Sequence, residues 1–250
     1  MDENEKINKV LIFRPISLFY LVFLFFLSTF MLPYLIATGI IFSHAIGVPS
    51  YLIFIIFLLS LLGSHVNIRI KEVESIQPMI YYREVNFFGV RWQVPETKYG
   101  AGKTTIAINL GGALIPVLFS LYLLIFSIPA NEENPVVTYV KIFVAFIIVT
   151  LVVHAFAKPV RGLGIAVPSF IPPLISAIIA VILFPIYVKT NPFIIAYIAG
   201  TLGTLTGADL LNWNKISKIG APMASIGGAG VFDGVYMTGI AAVLILWLLI

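Results

Sequence analysis

Two aspartates, Asp209 and Asp233, are the residues of this chain best suited to do chemistry. They are the only acidic residues that fall inside its long apolar stretches. A charged side chain in hydrocarbon costs at least ~2.5–3.5 kcal/mol on the insertion scale, and such residues usually mark ion sites, proton paths or catalytic centres. The two carboxylates are therefore the first candidates for a functional site.

Glycines surround both aspartates. Residues 200–239 hold nine of the nineteen glycines of the chain. In the run SIGGAGVFDG, Gly227, Gly228 and Gly230 stand just before Asp233, and each lowers helix propensity by roughly 1 kcal/mol. Secondary transporters place broken helices beside ion-binding carboxylates. The pattern predicts a helix break at residues 227–230 next to an ion-binding Asp233.

Three functions fit these residues. In the first, the protein is a proton- or cation-coupled transporter of a small solute. Asp233 then binds the ion, and Asp209, Asn109 and Ser225 supply supporting polar groups. In the second, the protein is an intramembrane aspartyl protease, and Asp209 and Asp233 are a catalytic pair that shares one proton. In the third, it is a structural membrane protein whose carboxylates tie helices together.

The spacing of the aspartates weighs against the protease if both flanking segments are helical. From a turn near Ser217, Asp209 lies roughly 12 Å along one helix and Asp233 roughly 24 Å along the next, at ~1.5 Å per residue. The two carboxylates meet only if residues 221–230 are non-helical or re-entrant, which the glycines permit. The order GAGVFD also departs from the Gly-x-Gly-Asp signature of known intramembrane aspartyl proteases.

Several other kinds of site are not expected. The chain has no cysteine, which excludes disulfides, thiolate nucleophiles and iron–sulfur clusters. His44, His65 and His154 are scattered singly without metal-ligand spacing, so we expect no metal and no cofactor. The net charge of +4 belongs to loops and suits an anionic lipid surface better than nucleic acid. The oligomeric state stays open.

The composition predicts an all-α integral membrane protein. The chain is 60% hydrophobic and 10% charged, whereas soluble domains carry about 25% charged residues. The polar segment 69–103 alternates around Phe88-Gly89, which predicts a small β-hairpin between helices two and three. We expect one membrane domain of seven helices, at residues 17–43, 49–67, 104–126, 135–157, 168–188, 192–213 and 221–249.

The basic residues predict the orientation in the cell membrane. With seven spans, thirteen of the fifteen lysines and arginines fall on the N-terminal side, and Lys141 and Lys189 fall on the other. By the positive-inside rule, the N-terminus and the hairpin are cytoplasmic and the C-terminus is outside. The expected partners are the lipid bilayer and a small solute or ion.

A weak internal repeat relates the first three helices to the last three. LPYLI at 32–36 matches IPPLI at 171–175, and GSH at 63–65 matches GAD at 207–209. NLGGA at 109–113 matches SIGGA at 225–229. These matches predict a parallel 3+1+3 arrangement, an organisation known among transporters.

Four motifs carry a resemblance to a known family. They are AINLGGALIP at 107–116, GLGIAVP at 162–168, GTLGTLTGADLL at 200–211 and SIGGAGVFDG at 225–234. Together they resemble the archaeal and bacterial membrane family called domain of unknown function 1614. The resemblance implies an integral membrane protein from an archaeon or a bacterium, and it brings no established activity or catalytic residues.

Overall fold

The computed structural model describes residues 10–12, 36–75, 79–87, 90–98, 102–161, 164–228 and 234–250. Its helices, in chain order, are α1 (Ile36–Ile46), α2 (Ser50–Gly63), α3 (Leu110–Asn131), α4 (Pro135–Phe156), α5 (Ile171–Leu183), α6 (Pro192–Ile216) and α7 (Gly234–Leu249). Among the described residues, α3, α4 and α6 are long and apolar enough to cross a membrane, and the other four are apolar but shorter. The chain is therefore a membrane protein, and the count of seven spans stays a prediction.

Two long helices begin at the same dipeptide. Asn134 and Asn191 each accept backbone N–H bonds from the first turn that follows, and each precedes a proline at the first helical position. Asparagine at the cap and proline just inside are favourable because the free N–H groups of the first turn gain an acceptor. The predicted starts at 135 and 192 agree with these caps.

The described chain is mostly helical, as expected, but it also forms strands beyond the predicted hairpin, which the expectation of an all-α protein did not include. In chain order they are β1 (Val10–Ile12), β2 (Val66–Ser75), β3 (Met79–Phe87), β4 (Val90–Lys98), β5 (Gly102–Asn109), β6 (Lys158–Val160), β7 (Gly164–Ala166) and β8 (Met223–Ile226). One sheet has the order β1-β2-β5-β8, with antiparallel pairs up to β5 and a parallel pair between β5 and β8.

The start of the third predicted helix needs correction. Residues 104–109 belong to β5, and α3 begins at Leu110. The segment GKTTIAIN is rich in β-branched residues, which favour a strand that pairs on both sides. The second helix likewise ends at Gly63 rather than at residue 67, because β2 begins at Val66.

The hairpin predicted inside segment 69–103 is confirmed in its strands. β3 and β4 pair antiparallel over their full length, and Phe87 lies opposite Val90. The expected turn residues, Phe88 and Gly89, lie outside the described residues, as do residues 17–35 of the first predicted helix.

The seventh predicted helix is shorter than expected. Residues 223–226 form β8, and α7 begins at Gly234 instead of residue 221. Gly227 and Gly228 follow β8 with φ angles of 79° and 88°, a left-handed conformation that glycine adopts without steric cost. The chain is therefore non-helical at these two glycines, where a helix break was predicted, and Gly230 lies outside the described residues.

Helix α6 lies at the centre of the bundle. Every residue at 194–201 is buried. The ring of Tyr197 meets the rings of Phe42 of α1 and Phe119 of α3 edge-on, with centroids 5.4 and 5.2 Å apart. On α7, a Cβ at Gly239 would lie 2.4 Å from Thr201 Oγ1, so glycine permits the close approach of α6 and α7. Neighbouring helices therefore hold α6 in place along its length.

One of the two lysines assigned to the outer side is not in a loop. Lys141 is buried on α4, and its ammonium group donates to the carbonyl oxygens of Phe184 and Val188 and to Thr190 Oγ1. Three acceptors satisfy its three N–H groups and tie α4 to the segment that joins α5 and α6.

The proposed 3+1+3 repeat stays a prediction. One pair of the matching segments is adjacent in the fold, because Ala107 and Ile108 of β5, just before NLGGA, pair in parallel register with Ser225 and Ile226 of β8.

Candidate functional site

Asp209 lies where the geometry of α6 changes. Residues Leu205–Asp209 form a wide π-helical turn, and the helix is of the tighter 3₁₀ type from Leu210 onwards. The fully buried Asn212 supports the wide turn, because its Nδ2 donates to the carbonyl oxygens of Gly207 (3.0 Å) and Ala208 (2.8 Å). Such turns often occur at functional sites. Asp209 therefore lies on a π-helical turn near the end of α6 that the side chain of Asn212 stabilises.

The carboxylate of Asp209 joins α6 to the chain that follows β8. Its Oδ2 accepts a hydrogen bond from the backbone N–H of Gly227, with a donor–acceptor distance of 3.1 Å. Hydrogen bonds to an ionised acceptor are stronger than those between neutral groups. The non-helical segment at residues 221–228 thus returns to the helix that carries Asp209.

Glycines let backbone pack directly against backbone around this turn. A Cβ on Gly112, at the start of α3, would lie 1.9 Å from the carbonyl oxygen of Gly227. A Cβ on Gly111 would lie equally close to the carbonyl oxygen of Ser60 in α2. Because neither position has room for a side chain, the ends of α2 and α3 and the turn after β8 form one tight junction.

Three polar side chains tie the sheet together beside that junction. Asn67 Oδ1 accepts hydrogen bonds from Asn109 Nδ2 (3.1 Å) and from Ser225 Oγ. Asn109 also donates to the carbonyl oxygen of Ser64 and accepts from the N–H of Gly112. The buried Nδ2 of Asn67 has no hydrogen-bond partner among the described residues. β2, β5 and β8 are therefore joined by their side chains as well as by their backbones.

A small cavity of about 90 Å³ lies against Asp209. Ser225 and Gly228 lie on its wall, together with apolar residues of β7, of β8 and of residues 216–219. At ~30 Å³ for each water molecule, it has room for roughly three. The carboxylate thus borders a space suited to water or a small ion.

A second cavity, of about 570 Å³, lies between α5, α6 and α7. Its wall is largely apolar, with Thr204 and Thr238 among its few polar residues. Ala208 and Gly234 both line it, and they are the sequence neighbours of Asp209 and Asp233. The end of α6 and the first residue of α7 therefore border one cavity.

The described site residues lie either around the small cavity or behind it. Asp209, Ser225 and Gly228 lie around the small cavity, where Gly227 binds Asp209. Asn109 lies behind them and reaches Ser225 through Asn67. Asp233 and Gly230 lie outside the described residues. Within the part of the chain that is described, no three histidine, aspartate or glutamate side chains lie close enough together to hold a metal ion.

Sequence reasoning missed three side chains that support the site. They are Asn67, Asn212 and His154, whose Nδ1 lies 3.2 Å from the carbonyl oxygen of Gly207. The position of Asn67 opposite Asn109 follows from the strand register, which only the structure provides. His154 reaches the turn from α4, and no spacing in the sequence signals that contact.

Comparison with known proteins identifies a family. No curated protein and no solved structure matches the chain. The sequence model of the family described as "Protein of unknown function (DUF1614)" matches residues 61–245, a range that includes both aspartates and the sheet from β2 to β8. The resemblance predicted from the motifs is thereby confirmed, and the chain belongs to the DUF1614 family.

Proposed function

We propose that this membrane protein is an intramembrane aspartyl protease in which Asp209 and Asp233 form the catalytic pair. The observation that carries the proposal is the shared cavity bordered by Ala208 and Gly234, the residues adjacent to the two aspartates. Two membrane carboxylates at one cavity are the arrangement in which one group stays protonated and the other acts as a base.

The non-helical chain after α6 removes the main objection to a pair. Two straight helices would separate the carboxylates, but residues 221–228 are not helical and Gly227 binds Asp209. Asp233 follows Gly227 by six residues, which span at most roughly 20 Å when extended. The chain can therefore bring Asp233 to Asp209 within that length.

The two cavities supply what hydrolysis in a membrane requires. The small cavity has room for water beside Asp209, and the large one is apolar like a membrane-spanning substrate. At the rim of the large cavity, Phe170 and Leu248 are 81% and 78% exposed, an apolar surface suited to contact with lipid. A transmembrane segment of another protein is therefore the proposed class of substrate.

The proposed reaction is a general acid–base hydrolysis. The ionised carboxylate takes a proton from water, whose oxygen forms a bond to the carbonyl carbon of the scissile peptide. The protonated carboxyl group gives its proton to the carbonyl oxygen, which yields a tetrahedral intermediate. The C–N bond then breaks as the nitrogen takes the proton that the first carboxyl group had accepted from water, and the second carboxylate takes a proton from a hydroxyl of the intermediate. A carboxylic acid and an amine leave, and the pair again shares one proton.

Isosteric substitution tests the proposal. In liposomes, the wild-type protein should cleave a synthetic apolar transmembrane peptide that carries a fluorophore and a quencher at its two ends. Asp209→Asn and Asp233→Asn should each lower the rate by more than about 100-fold, because neither amide can exchange the proton. Glu133→Gln, a change at an exposed carboxylate, is the matched control and should keep the wild-type rate. Full activity in both Asn variants would contradict the catalytic pair.

A cross-link tests the geometry without any substrate. The chain has no cysteine, so Asp209→Cys combined with Asp233→Cys places two thiols in an otherwise thiol-free protein. A disulfide requires Cα atoms within ~7 Å, and we expect one to form rapidly under mild oxidation. A folded double variant that forms no disulfide would contradict the pair.

A proton- or cation-coupled transporter of a small solute is the second candidate. The observation that favours it is Thr204, whose buried hydroxyl has no hydrogen-bond partner among the described residues and lines the large cavity. An unsatisfied hydroxyl near Asp209 suits an ion or a proton relay, with Asp233 as the binding carboxylate. Proton flux into liposomes that Asp209→Asn abolishes, without any peptide cleavage, would decide for the transporter.

A further inference from the structure

The two helices α4 and α6 lie side by side and share a level at both ends. At one end the carboxylate of Glu132, just before α4, accepts hydrogen bonds from the backbone N–H of Asn191 (2.9 Å) and from Thr138 Oγ1 (3.1 Å). At the other end His154 Nδ1 lies 3.3 Å from Asn212 Nδ2. The residues that follow His154 and Asn212 therefore lie at about the same depth.

That depth matches the boundary between the hydrocarbon and the headgroups of a bilayer. Helix α4 has 22 residues, which span roughly 33 Å at ~1.5 Å per residue, and the hydrocarbon core of a bilayer is ~30 Å thick. When α4 crosses a bilayer, its last residue, Phe156, lies where the hydrocarbon ends. The segments that follow α4 and the π-helical turn of α6 are therefore placed near the lipid headgroups.

Apolar side chains are exposed at this level on both helices. They are Phe156 at the end of α4 and Leu210, Leu211 and Trp213 in the 3₁₀ part of α6, with 36% to 50% of their surface exposed. Tryptophan is enriched at membrane–water interfaces, where its ring contacts lipid and its N–H stays near water. These four side chains form an apolar surface suited to the acyl chains just below the headgroups.

Basic residues adjoin this apolar surface. Lys158 of β6 and Arg161 follow α4 and are exposed, and β6 contacts the 3₁₀ segment that carries the half-buried Lys215. Among the described residues, no carboxylate forms an ion pair with any of the three, since the ion pairs found there are made by residues of β2 and β5. The described part of the protein thus leaves their positive charges available to an external anion.

A cavity of about 220 Å³ lies beside Trp213. Val73 of β2, Asn214 and Ile216 line it together with Trp213, and Lys215 stands between Asn214 and Ile216 in the sequence. At ~30 Å³ for each water molecule, the cavity has room for roughly seven, or for a polar group of several heavy atoms. A cavity, a cation and an apolar surface therefore lie next to one another.

We propose that this end of the bundle binds an anionic phospholipid such as phosphatidylglycerol. The phosphate binds the three basic residues, the headgroup reaches the cavity beside Trp213, and the acyl chains lie against Phe156 and Leu211. Charge complementarity selects the partner, because three cations favour an anionic headgroup over a zwitterionic one. The apolar surface favours a lipid over a soluble phosphate. This site does not depend on the proposed protease activity.

Quenching of Trp213 fluorescence by brominated lipids tests the proposal. The reporter is the full chain with Trp92→Phe and Trp247→Phe, which leaves Trp213 as the one tryptophan, in phosphatidylcholine liposomes. Phosphatidylglycerol with brominated acyl chains is added at increasing mole fraction, and brominated phosphatidylcholine is compared at the same fractions. Half-maximal quenching should need about tenfold less of the anionic lipid, because each basic residue near an anionic headgroup strengthens binding by up to about fivefold.

Charge removal locates this preference on the protein. Lys158→Gln combined with Lys215→Gln should lower the preference to about twofold or less. Lys189→Gln, at an exposed lysine near the opposite end of α6, is the matched control and should keep it. Equal loss in the double variant and in the control would mean that general surface charge acts, which would overturn a local site. Equal quenching by both lipids in the reporter itself would also overturn it.

Two further conditions test the site without changing a charge on the protein. In 1 M salt the screening length falls to ~3 Å, so the preference for the anionic lipid should fall severalfold. A preference that 1 M salt leaves unchanged would contradict binding through the three cations. Soluble glycerol phosphate should not displace the brominated lipid, and displacement would assign the site to a soluble phosphate instead of a lipid.

Discussion

Asn109 shows how a polar side chain can serve the site without touching it. Its amide is fully used, since Nδ2 donates to Ser64 and Asn67 and Oδ1 accepts from Gly112. It caps the start of α3 and holds the strand end beside Ser225. Its role as a supporting site residue stays a prediction, whereas its hydrogen bonds give it a structural role at the junction of β5 and α3.

Asn109→Ala should destabilise the protein by ~2–4 kcal/mol, because at least two buried backbone groups lose their partner at ~1–3 kcal/mol each. The measurement is thermal unfolding in detergent, with a lower Tm expected. Asn131→Ala is the matched control, since its exposed side chain makes local contacts with Ser127 alone, and it should change stability by less than about 0.5 kcal/mol. Equal Tm values for both variants would contradict the structural role of Asn109.

Individual residues also show how much of the candidate site could be predicted from the sequence. Asp209 and Asp233 could be named as candidates from the sequence, because a charge in hydrocarbon is costly wherever it occurs. Asn67 and Asn212 could not, because a buried amide costs little enough to be common and its role depends on partners in space. Asn67 and Ser225 are far apart in the sequence, and they form a hydrogen bond only because the fold brings them together.

The junction of α3 with the turn after β8 is the element on which the site depends. Gly112→Ala would place a Cβ 1.9 Å from the carbonyl oxygen of Gly227, and neither backbone can yield without moving the partner of Asp209. We expect a loss of about 1–3 kcal/mol in unfolding free energy, measured by chemical denaturation, together with slower peptide cleavage.

Gly234→Ala is the control for this prediction. Among the described residues, no atom lies within 4 Å of the point that its added Cβ would occupy, so its stability should stay within about 0.5 kcal/mol of the wild type. If both alanine variants were equally stable, the tight contact at Gly112 would carry no energetic weight.

The elements show why hydropathy alone assigned two segments wrongly. Residues 104–109 and 221–226 are apolar enough to read as helix, and they flank true helices without a polar break. Hydropathy measures how apolar a segment is. It does not indicate whether the backbone hydrogen bonds of that segment form within a helix or to a neighbouring strand. In the second segment the glycines after it indicated a break, whereas the pairing of β5 with β8 had no local signal.

At the scale of the whole molecule, the charge pattern predicts that the two termini lie on opposite sides of the membrane. Cysteine substitution in this cysteine-free chain tests it with an impermeant maleimide on intact cells. Ile250→Cys and Lys189→Cys should be labelled from outside, and Asp2→Cys and Arg161→Cys only after the cells are permeabilised. Labelling of both termini from one side would mean an even number of crossings.

The membrane class and most of the helices could be predicted because their signal is local and repeated along the chain. The sheet could not, since its strands join residues far apart in sequence, from β1 at Val10–Ile12 to β8 at Met223–Ile226. Its position matters for the function, because β2 and β5 connect almost directly to α2 and α3 and place the ends of these helices beside Asp209.

The strand order also has a consequence for biosynthesis. A ribosome delivers β1, β2 and β5 early, but β8, which completes the sheet and leads to the Gly227 contact, emerges among the last residues. Long-range pairing of this kind forms late and slowly. A nascent or truncated chain that ends before β8 therefore lacks both α7 and the Gly227 contact of Asp209, so the proposed peptide-cutting activity requires the part of the chain from β8 onwards.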